Sequence, residues 1–266
     1  LYDPANDSAG VDRLALLTEL RHGIDAGELR LVYMPKVALG SGRVLGMEAL
    51  VRWQHPVRGL LTPGVFIPHA ERTGLIGALT LEVLDQALAQ TARWIAAGTA
   101  TRVAVNLSAR NLLDRGLPTA VDERLRRFGV PADLLELEIT ESTIMADPAR
   151  ALVVLEELAA MGIHLTIDDF GTGYSSLAYL KRLPVTTLKI DREFVDGLGQ
   201  DPHDSAIVAA VIALARALEL NVVAEGVETE EQQRLLRLLD CDELQGFLIS
   251  KPLPVDVFEA TFLTRS

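Results

Sequence analysis

Short apolar segments alternate with amphipathic segments along most of the chain, and each apolar segment ends in a polar residue. From residue 101 onward the pattern predicts strand followed by helix, repeated roughly every 20 to 35 residues, as in parallel strands joined by right-handed crossovers. The polar residues that follow these strands are Asn106, Glu138, Asp168 with Asp169, Lys189 with Asp191, Glu225 and Gln245. In a closed parallel barrel the C-terminal strand ends meet at one mouth, so we expect these side chains to face one another. An open doubly wound sheet has the same alternation but concentrates its ligands at one switch point, and we therefore favour the barrel.

The first part of the chain has a different pattern. Apolar residues at helical spacing predict an amphipathic helix over residues 11–27, and strand-like segments follow at residues 29–39 and 44–53. The connection at residues 40–42 is too short for a parallel crossover, so these two strands are predicted to be antiparallel. Capping residues mark the helix starts, with Thr62, Asp147 and Asp201 each before a proline and Thr229 in a capping box with Gln232.

Composition limits the possible functions. The chain has 266 residues and 49% apolar content, which suits one α/β barrel with a sizeable core. Its net charge of −12 argues against binding to duplex nucleic acid, although a small phosphate ester could bind at a local positive centre made by metal ions or placed Arg and Lys. The longest apolar run, residues 206–215, is too short to span a bilayer. Cys241 is the sole cysteine, which fits a reducing cytosol. We therefore expect a cytoplasmic location, and the full-length protein could still be membrane-anchored.

Glu48, within the second predicted strand, offers an oxygen ligand, and so do the strand-end residues Asn106, Glu138, Asp168, Asp169 and Glu225. Hard oxygen donors suit Mg²⁺ or Mn²⁺ better than zinc or copper. Carboxylates crowded at one mouth repel one another unless cations lie among them, so we infer a site for two divalent ions with Asp168 bridging. Two such ions are the usual means of attacking a phosphodiester with water. Taken singly, each acidic strand end could instead only cap the next helix, but six coincident endings disfavour that reading.

The remaining charged candidates have two readings each. Lys189 lies where a cation could hold the attacking water, and Arg52 could contact a phosphate oxygen; both could also form ordinary ion pairs with neighbouring carboxylates.

The adjacent Asp168 and Asp169 can serve one site only where the strand ends and the chain turns, which residues 169–173 would allow. Residues 169–171 also match the metal-binding tripeptide of protein kinases, but no glycine-rich loop or His-Arg-Asp loop accompanies it, so we reject a kinase.

Seven ordered motifs resemble those of EAL-domain cyclic-di-GMP phosphodiesterases, over about residues 11–262. The motifs are Glu48-Ala49-Leu50 within residues 46–53, Asn106-Leu107-Ser108, Glu138-Ile139-Thr140-Glu141, residues 168–177, Leu188-Lys189-Ile190-Asp191, Ala224-Glu225-Gly226-Val227-Glu228, and Gln245-Gly246-Phe247. The resemblance implies an α/β fold, a modified TIM (β/α)8 barrel with one antiparallel strand, in agreement with the short connection at residues 40–42. It also implies hydrolysis of cyclic-di-GMP to linear pGpG with two Mg²⁺ or Mn²⁺ ions, and inhibition by Ca²⁺.

The resemblance assigns roles by position. One metal would be bound by Glu48, Asn106, Glu138 and Asp168, and the other by Asp168, Asp169 and Glu225. Lys189 would orient the hydrolytic water with support from Gln245, and the expected substrate contacts are Arg52, Met34, Asp169 and Gln245. Glu141 would brace the loop after Asp169, which in this family couples a homodimer interface to the metal site. Asp191 and Glu228 match further acidic positions of the active site.

Two features qualify this assignment. The family usually has Tyr-Gln-Pro where this chain has Tyr33-Met34-Pro35, and a thioether cannot donate a hydrogen bond, so Met34 is expected to alter substrate affinity. Residues 1–9 resemble the tail of an upstream GGDEF diguanylate cyclase domain or a linker, which leaves residues 10–266 as the EAL domain and implies a GGDEF or sensor partner domain. The alternatives to a cyclic-di-GMP phosphodiesterase are a receptor that binds this dinucleotide without turnover and a metal-dependent phosphodiesterase for other nucleotides.

Overall fold

The structure is a computed structural model that describes residues 16–172 and 177–263. The predicted upstream tail at residues 1–9 lies outside the described residues. So do the first residues of the predicted helix at 11–27, whose described part covers residues 16–25 and is named α1.

One sheet of nine strands contains all the named strands of the described chain. They are β1 (Leu29–Ala38), β2 (Val44–His55), β3 (Gly59–Leu61), β4 (Arg102–Leu107), β5 (Leu135–Thr140), β6 (His164–Phe170), β7 (Thr187–Ile190), β8 (Asn221–Ala224) and β9 (Glu243–Leu244). Strands β2 and β4 to β9 are parallel in sequence order, and β1 closes the barrel by pairing antiparallel with both β2 and β9. The predicted barrel with one antiparallel strand is therefore confirmed. Strand β3 was not predicted; it lies outside the barrel as a hairpin partner of β2.

The helices connect the strands. They are α2 (Pro63–Thr73), α3 (Leu75–Ala96), α4 (Ala109–Leu112), α5 (Leu117–Phe128), α6 (Glu141–Ala146), α7 (Pro148–Ala160), α8 (Leu177–Leu180), α9 (Arg192–Asp196), α10 (Pro202–Ala217), α11 (Glu230–Leu238) and α12 (Val255–Phe258), with a 3₁₀ turn at Ala132–Leu134 and a π-helical turn at Glu259–Leu263. Among the described residues, no helix combines the length and the apolar character that crossing a membrane requires.

Three of the four predicted helix caps form as expected. Asp147, Asp201 and Thr229 each accept a hydrogen bond from a backbone N–H in the first turn of the following helix. The prediction for Thr62 is wrong, because its side chain makes no capping hydrogen bond. The N–H of Val65 donates instead to the main-chain carbonyl of Thr62 at 3.0 Å, which leaves the hydroxyl without that role.

The main apolar core lies between the outer face of the barrel and the surrounding helices. Alternate strand residues point outward into this core, such as Leu135, Leu137 and Ile139 of β5, all of which are buried. The residues between them point into the barrel, where Glu136 and Glu138 are buried together with lysines from other strands. The barrel interior is therefore charged, and its mouth is charged as well.

Candidate active site

The barrel mouth brings together side chains from seven of its eight strands or from the residue that follows each strand. They are Glu48 of β2, Asn106 of β4, Glu138 of β5, Asp168 of β6, Lys189 of β7, Glu225 after β8 and Gln245 after β9. Parallel strands place their C-terminal ends at one edge, so residues far apart in the chain become neighbours. The structure therefore gathers the predicted strand-end residues at one place.

Lys189 is the cation at the centre of this cluster. Its fully buried Nζ lies 2.9 Å from Glu138 Oε2, 3.2 Å from Asp168 Oδ1 and 3.9 Å from Glu48 Oε2, and it also forms an ion pair with Glu225. Burial alone would lower the pKa of this ammonium, but the surrounding carboxylates, with Asp168 first, raise it well above the ordinary value. Lys189 therefore stays charged at any physiological pH.

One lysine does not neutralise four carboxylates. Burial, opposed by Lys189 and aided by the other carboxylates, raises the pKa values of Glu48, Asp168 and Glu225. Glu138 is the exception: burial would raise its pKa, but Lys189 and then Lys36 lower it to about 2. With all four carboxylates ionised the mouth would carry more negative charge than Lys189 balances, and added cations would lower the free energy of that ionised state.

A break in strand register lets the two adjacent aspartates serve one site. The pairing of β6 with β7 shifts between Ile167 and Phe170, and Asp169 has a left-handed φ of 52°. The N–H of Asp169 donates to Asp168 Oδ1 at 3.0 Å. Carboxylate oxygens of Asp168, Asp169 and Glu225 lie within 4.8 Å of one another as a result. The sequence predicts a turn at this point. In the structure β6 continues to Phe170, and an irregularity within the strand brings the two aspartates to one site.

Asp169 has a second acidic neighbour. Burial, then Asp168 and Asp191, raises the pKa of Asp169 to about 7. Asp191 also caps helix α9, where its Oδ1 accepts a hydrogen bond from the N–H of Glu193 at 2.6 Å. The predicted acidic position at residue 191 therefore touches the cluster through Asp169.

The donor atoms fit hard divalent cations. The group of Asp168, Asp169 and Glu225 offers carboxylate oxygens only, and Glu48 and Glu138 add further oxygens beside it. The buried carbonyl oxygen of Gln245 has no hydrogen-bond partner among the described residues, and it provides one more oxygen at this place. Oxygen-rich sites of this kind suit Mg²⁺ or Mn²⁺.

Two amides hold Glu48 in place. Asn106 Nδ2 donates to Glu48 Oε1 at 2.7 Å, and Gln245 Nε2 donates to Glu48 Oε2 at 2.7 Å. One oxygen of this carboxylate is thus oriented from β4 and the other from the residue after β9, while each amide keeps its carbonyl oxygen for another partner.

Glu141 lies at the start of α6 and supports the turn after the aspartates. Its buried Oε2 accepts a hydrogen bond from the N–H of Gly171 at 3.0 Å. Gly171 has a φ of 104°, which a residue with a side chain rarely adopts. The predicted brace therefore has a direct contact in the structure, whereas Gly173 of the same predicted turn lies outside the described residues.

Arg52 and Glu228 lie farther from the centre. The half-buried Arg52 donates from Nη1 to the carbonyl of Val51 at 2.8 Å, and it is not among the residues that line the cleft. Glu228 is exposed on the rim, where its Oε1 lies 3.0 Å from Arg192 Nη2. The roles assigned to these two residues stay predictions.

A cleft of about 220 Å³ opens over the carboxylates. It is lined by Met34, Glu48, Asp168, Arg192, Glu225, Gly226, Glu228, Gln245, Gly246 and Phe247. Sequence reasoning did not select Arg192 or Phe247 as site residues. Phe247 is 47% exposed, an unusual position for a large aromatic side chain, and it follows the motif residues Gln245 and Gly246 directly. That adjacency was the available signal, while Arg192 after Asp191 has no pattern that separates it from a surface arginine.

The fold and the site define an α/β barrel protein with an oxygen-rich acidic centre at the C-terminal strand ends, and comparison with known proteins identifies the family. The model of the EAL domain family matches residues 17–252, so the chain belongs to the EAL domain family. It is 48% identical over 256 residues to the bifunctional diguanylate cyclase/cyclic di-GMP phosphodiesterase MucR of Pseudomonas aeruginosa, covering 96% of this chain and 37% of MucR. It is 45% identical over 247 residues to the cyclic di-GMP phosphodiesterase NbdA of the same species, covering 92% of this chain and 32% of NbdA. The solved PaMucR phosphodiesterase in complex with c-di-GMP superposes with a TM-score of 0.89 at 50% identity, covering 92% of this chain and 99% of that one.

Proposed function

We propose that this domain hydrolyses one phosphodiester bond of cyclic-di-GMP to give linear pGpG, using two divalent cations. The observation that carries the proposal is the cluster of Asp168, Asp169 and Glu225 oxygens within 4.8 Å at the base of an open cleft. The similarity to MucR, whose phosphodiesterase has been solved with c-di-GMP, supports this substrate. The chain spans about a third of the length of the curated relatives, so activities of a longer protein are part of the proposal.

Asp168 is the residue best placed to be shared between the two cations. On one side it neighbours Glu48 and Glu138 through their common partner Lys189, and on the other it lies with Asp169 and Glu225. Asn106 would complete the first set of ligands with its amide oxygen. When bound, Mg²⁺ or Mn²⁺ supplies polarisation of a phosphoryl oxygen and a lower pKa for a coordinated water. Ca²⁺ is proposed to inhibit, because it is larger and takes six to eight ligands in flexible geometry.

The protein's own residues orient the reactants. Lys189, whose Nζ is surrounded by carboxylate oxygens, is proposed to hold the attacking water and to offset charge on the phosphate. The amides of Asn106 and Gln245 fix the Glu48 carboxylate, which keeps it in a single orientation. Restricting these groups before the reaction reduces the entropy lost in reaching the transition state.

The cleft walls suit a dinucleotide. Phe247 presents an exposed ring at the mouth on which a guanine base can stack, and Arg192 offers a guanidinium for a phosphate or a base edge. Met34 lies in the cleft wall where the family usually has glutamine. Recognition by Arg52 and Asp169 is part of the same proposal.

The proposed partners lie beyond this domain. A homodimer through the loop after Asp169 would act on the site through Glu141, which holds Gly171. An upstream GGDEF or sensor domain and a cytoplasmic location are proposed for the whole protein. The name of the relative MucR gives two activities, diguanylate cyclase and cyclic di-GMP phosphodiesterase. The mass of the protein in solution tests the homodimer, the sequence of the whole gene tests the upstream domain, and cell fractionation tests the location.

Direct measurement of the product tests the proposed reaction. The protein is incubated with cyclic-di-GMP and Mg²⁺ or Mn²⁺, and pGpG is followed by chromatography, with Ca²⁺ and chelator controls. We expect metal-dependent pGpG from the wild type and none from Asp168→Asn, whose unfolding temperature should stay at or above that of the wild type because a repelling charge has been removed. Absence of pGpG under every metal tested would refute hydrolysis.

A second candidate function is binding of cyclic-di-GMP without turnover. Met34 is the observation in its favour, since a thioether in the cleft wall lacks the amide donor that the family usually has there. Calorimetric binding of cyclic-di-GMP with no pGpG would support this receptor function and replace the enzyme.

A further inference from the structure

A second buried lysine lies behind the predicted metal ligand Glu138. Lys36 Nζ, on β1, is 2.7 Å from Glu136 Oε1 and 3.1 Å from Glu138 Oε1. All three side chains are at most 3% exposed. Lys36 and Glu136 take part in none of the catalytic roles proposed above.

The two oxygens of Glu138 are held by two different lysines. Lys36 donates to Oε1, and Lys189 donates to Oε2 at 2.9 Å. A carboxylate fixed at both oxygens cannot rotate about its last bond without breaking a charge-assisted hydrogen bond. Lys36 therefore sets the orientation in which the remaining lone pairs of Glu138 face the mouth.

Local structure makes room for Lys36. In the antiparallel pairing of β1 with β2, Lys36 lies opposite Gly46, which has no side chain. A Cβ atom at Gly46 would lie 3.6 Å from Lys36 Cε and 3.3 Å from the carbonyl of Arg102. The lysine stem thus runs over a position kept open by glycine and reaches the middle of the barrel.

Glu136 balances the charge of Lys36. Its Oε1 also accepts a hydrogen bond from Thr166 Oγ1 at 2.6 Å, and its Oε2 lies 4.0 Å from Arg102 Nη1. Burying an ion pair costs desolvation energy, and replacing such pairs by neutral groups of similar size is often neutral or stabilising. Fold stability alone therefore gives no strong reason for this pair inside the barrel.

We propose that Lys36, with its charge balanced by Glu136, is a positioning residue that orients the Glu138 carboxylate for cation binding. The inference rests on the proposed function in one respect, the assignment of Glu138 as a metal ligand. It predicts that the pair affects cation affinity and turnover separately from fold stability.

The decisive variant is Lys36→Met combined with Glu136→Gln. Lys36→Met alone would have two opposing effects on cation affinity. It would add one net negative charge, which strengthens cation binding, and it would release the Glu138 carboxylate from its fixed orientation, which weakens cation binding. The double variant removes one charge of each sign and keeps an oxygen acceptor for Thr166. It therefore isolates the loss of orientation.

Equilibrium binding of Mn²⁺, measured by calorimetry or electron paramagnetic resonance without substrate, is the primary readout, with unfolding temperature and steady-state kinetics beside it. Loss of an outer partner of a metal ligand typically lowers metal affinity or activity by about 10- to 100-fold, so we expect weaker Mn²⁺ binding and lower kcat in that range with little change in KM for cyclic-di-GMP. The matched control is Arg124→Met with Asp85→Asn, a charge-neutral removal of an ion pair of 2.8 Å between α5 and α3. The control should leave Mn²⁺ affinity unchanged.

A folded double variant with wild-type Mn²⁺ affinity would overturn the proposal. If the double variant does not fold, Lys36→Leu combined with Glu136→Gln decides, because it also removes one charge of each sign together with the Lys36 contact to Glu138. Weaker Mn²⁺ binding by that variant supports the positioning role, and unchanged binding refutes it. Failure of the proposed reaction is distinguishable: it would appear as a wild type that binds Mn²⁺ and forms no pGpG, with the binding comparison still valid.

Discussion

Gly246 should not tolerate even a methyl group. A Cβ atom built at this position would lie 2.7 Å from the carbonyl carbon of Val227 and closer still to the nitrogen and oxygen of that residue. Real Cβ atoms essentially never approach a neighbour to within 3.0 Å, and here the neighbour is backbone that cannot rotate away. Gly246→Ala must therefore push apart two segments that the hydrogen bond from Val227 N–H to the Gln245 carbonyl holds at 3.1 Å.

Either displacement reaches the active site. Gly246 directly follows Gln245, which orients Glu48, and Val227 lies two residues after Glu225. A shift of about 1 Å in a reacting group can cost about 100-fold in rate, so we expect a loss of activity on that scale. Overpacking typically costs about 1–3 kcal/mol, and a backbone clash belongs at the upper end. About 3 kcal/mol corresponds to a melting temperature roughly 6–12 °C lower for a domain of this size.

The assay combines pGpG formation with thermal unfolding of Gly246→Ala and of a matched control, Gly77→Ala. Gly77 lies within α3, where an added Cβ meets no atom within 4 Å, so alanine should be neutral or stabilising by up to about 1 kcal/mol. A Gly246→Ala protein with wild-type turnover and an unchanged melting temperature would show that the two segments separate freely, and the reasoning would be wrong.

Three further predictions concern the cleft and its support. Met34→Gln should lower KM for cyclic-di-GMP and leave kcat nearly unchanged, because the amide adds a donor to the cleft wall; an unchanged KM in steady-state kinetics would contradict this. Glu141→Ala should lower the free energy of unfolding by about 1.5–3 kcal/mol, because Gly171 N–H loses a charged acceptor, whereas Glu141→Gln keeps an oxygen there; equal denaturation midpoints for the two variants would count against it. Burial and then Asp168 raise the pKa of Asp169 to about 7, above its unfolded value near 3.9, so the folded state binds this proton more tightly. In chelator the melting temperature should therefore fall as pH rises from about 4 to 7 relative to Asp169→Asn, and a parallel pH profile for the two proteins would refute that.

The barrel could be predicted because two independent signals agreed. Regular alternation from residue 101 onward required parallel crossovers, and the short connection at residues 40–42 required one reversed strand. The hairpin strand β3 escaped prediction because Gly59–Leu61 has three residues, too few to show a period. Likewise, the hydroxyl of Thr62 and its main-chain carbonyl compete for the same N–H, and sequence does not decide which accepts it.

At the site, the residues at strand ends and Glu48 of the family motif are predictable from the sequence, whereas Glu136 is not. Glu138 is predicted from its place at the end of an apolar run, whereas Glu136 lies inside that run and has the pattern of an ordinary strand residue. The signal was the spacing of two, which places both glutamates on the inward face of β5. Arg52 stays a prediction from its motif position, because its guanidinium donates to the Val51 carbonyl and is not part of the cleft wall.

The reversed strand β1 gives two nearby residues different depths in the barrel. Met34 pairs with Glu48 and lines the cleft, whereas Lys36 pairs with Gly46, one inward position farther from the mouth. In a parallel strand the later residue would lie nearer the mouth; because β1 runs the other way, the later residue lies beneath it. One strand therefore supplies both a wall that substrate would touch and a cation that holds Glu138 from below. Changes at Met34 should consequently alter KM and changes at Lys36 should alter metal affinity, although the two residues share one face of one strand.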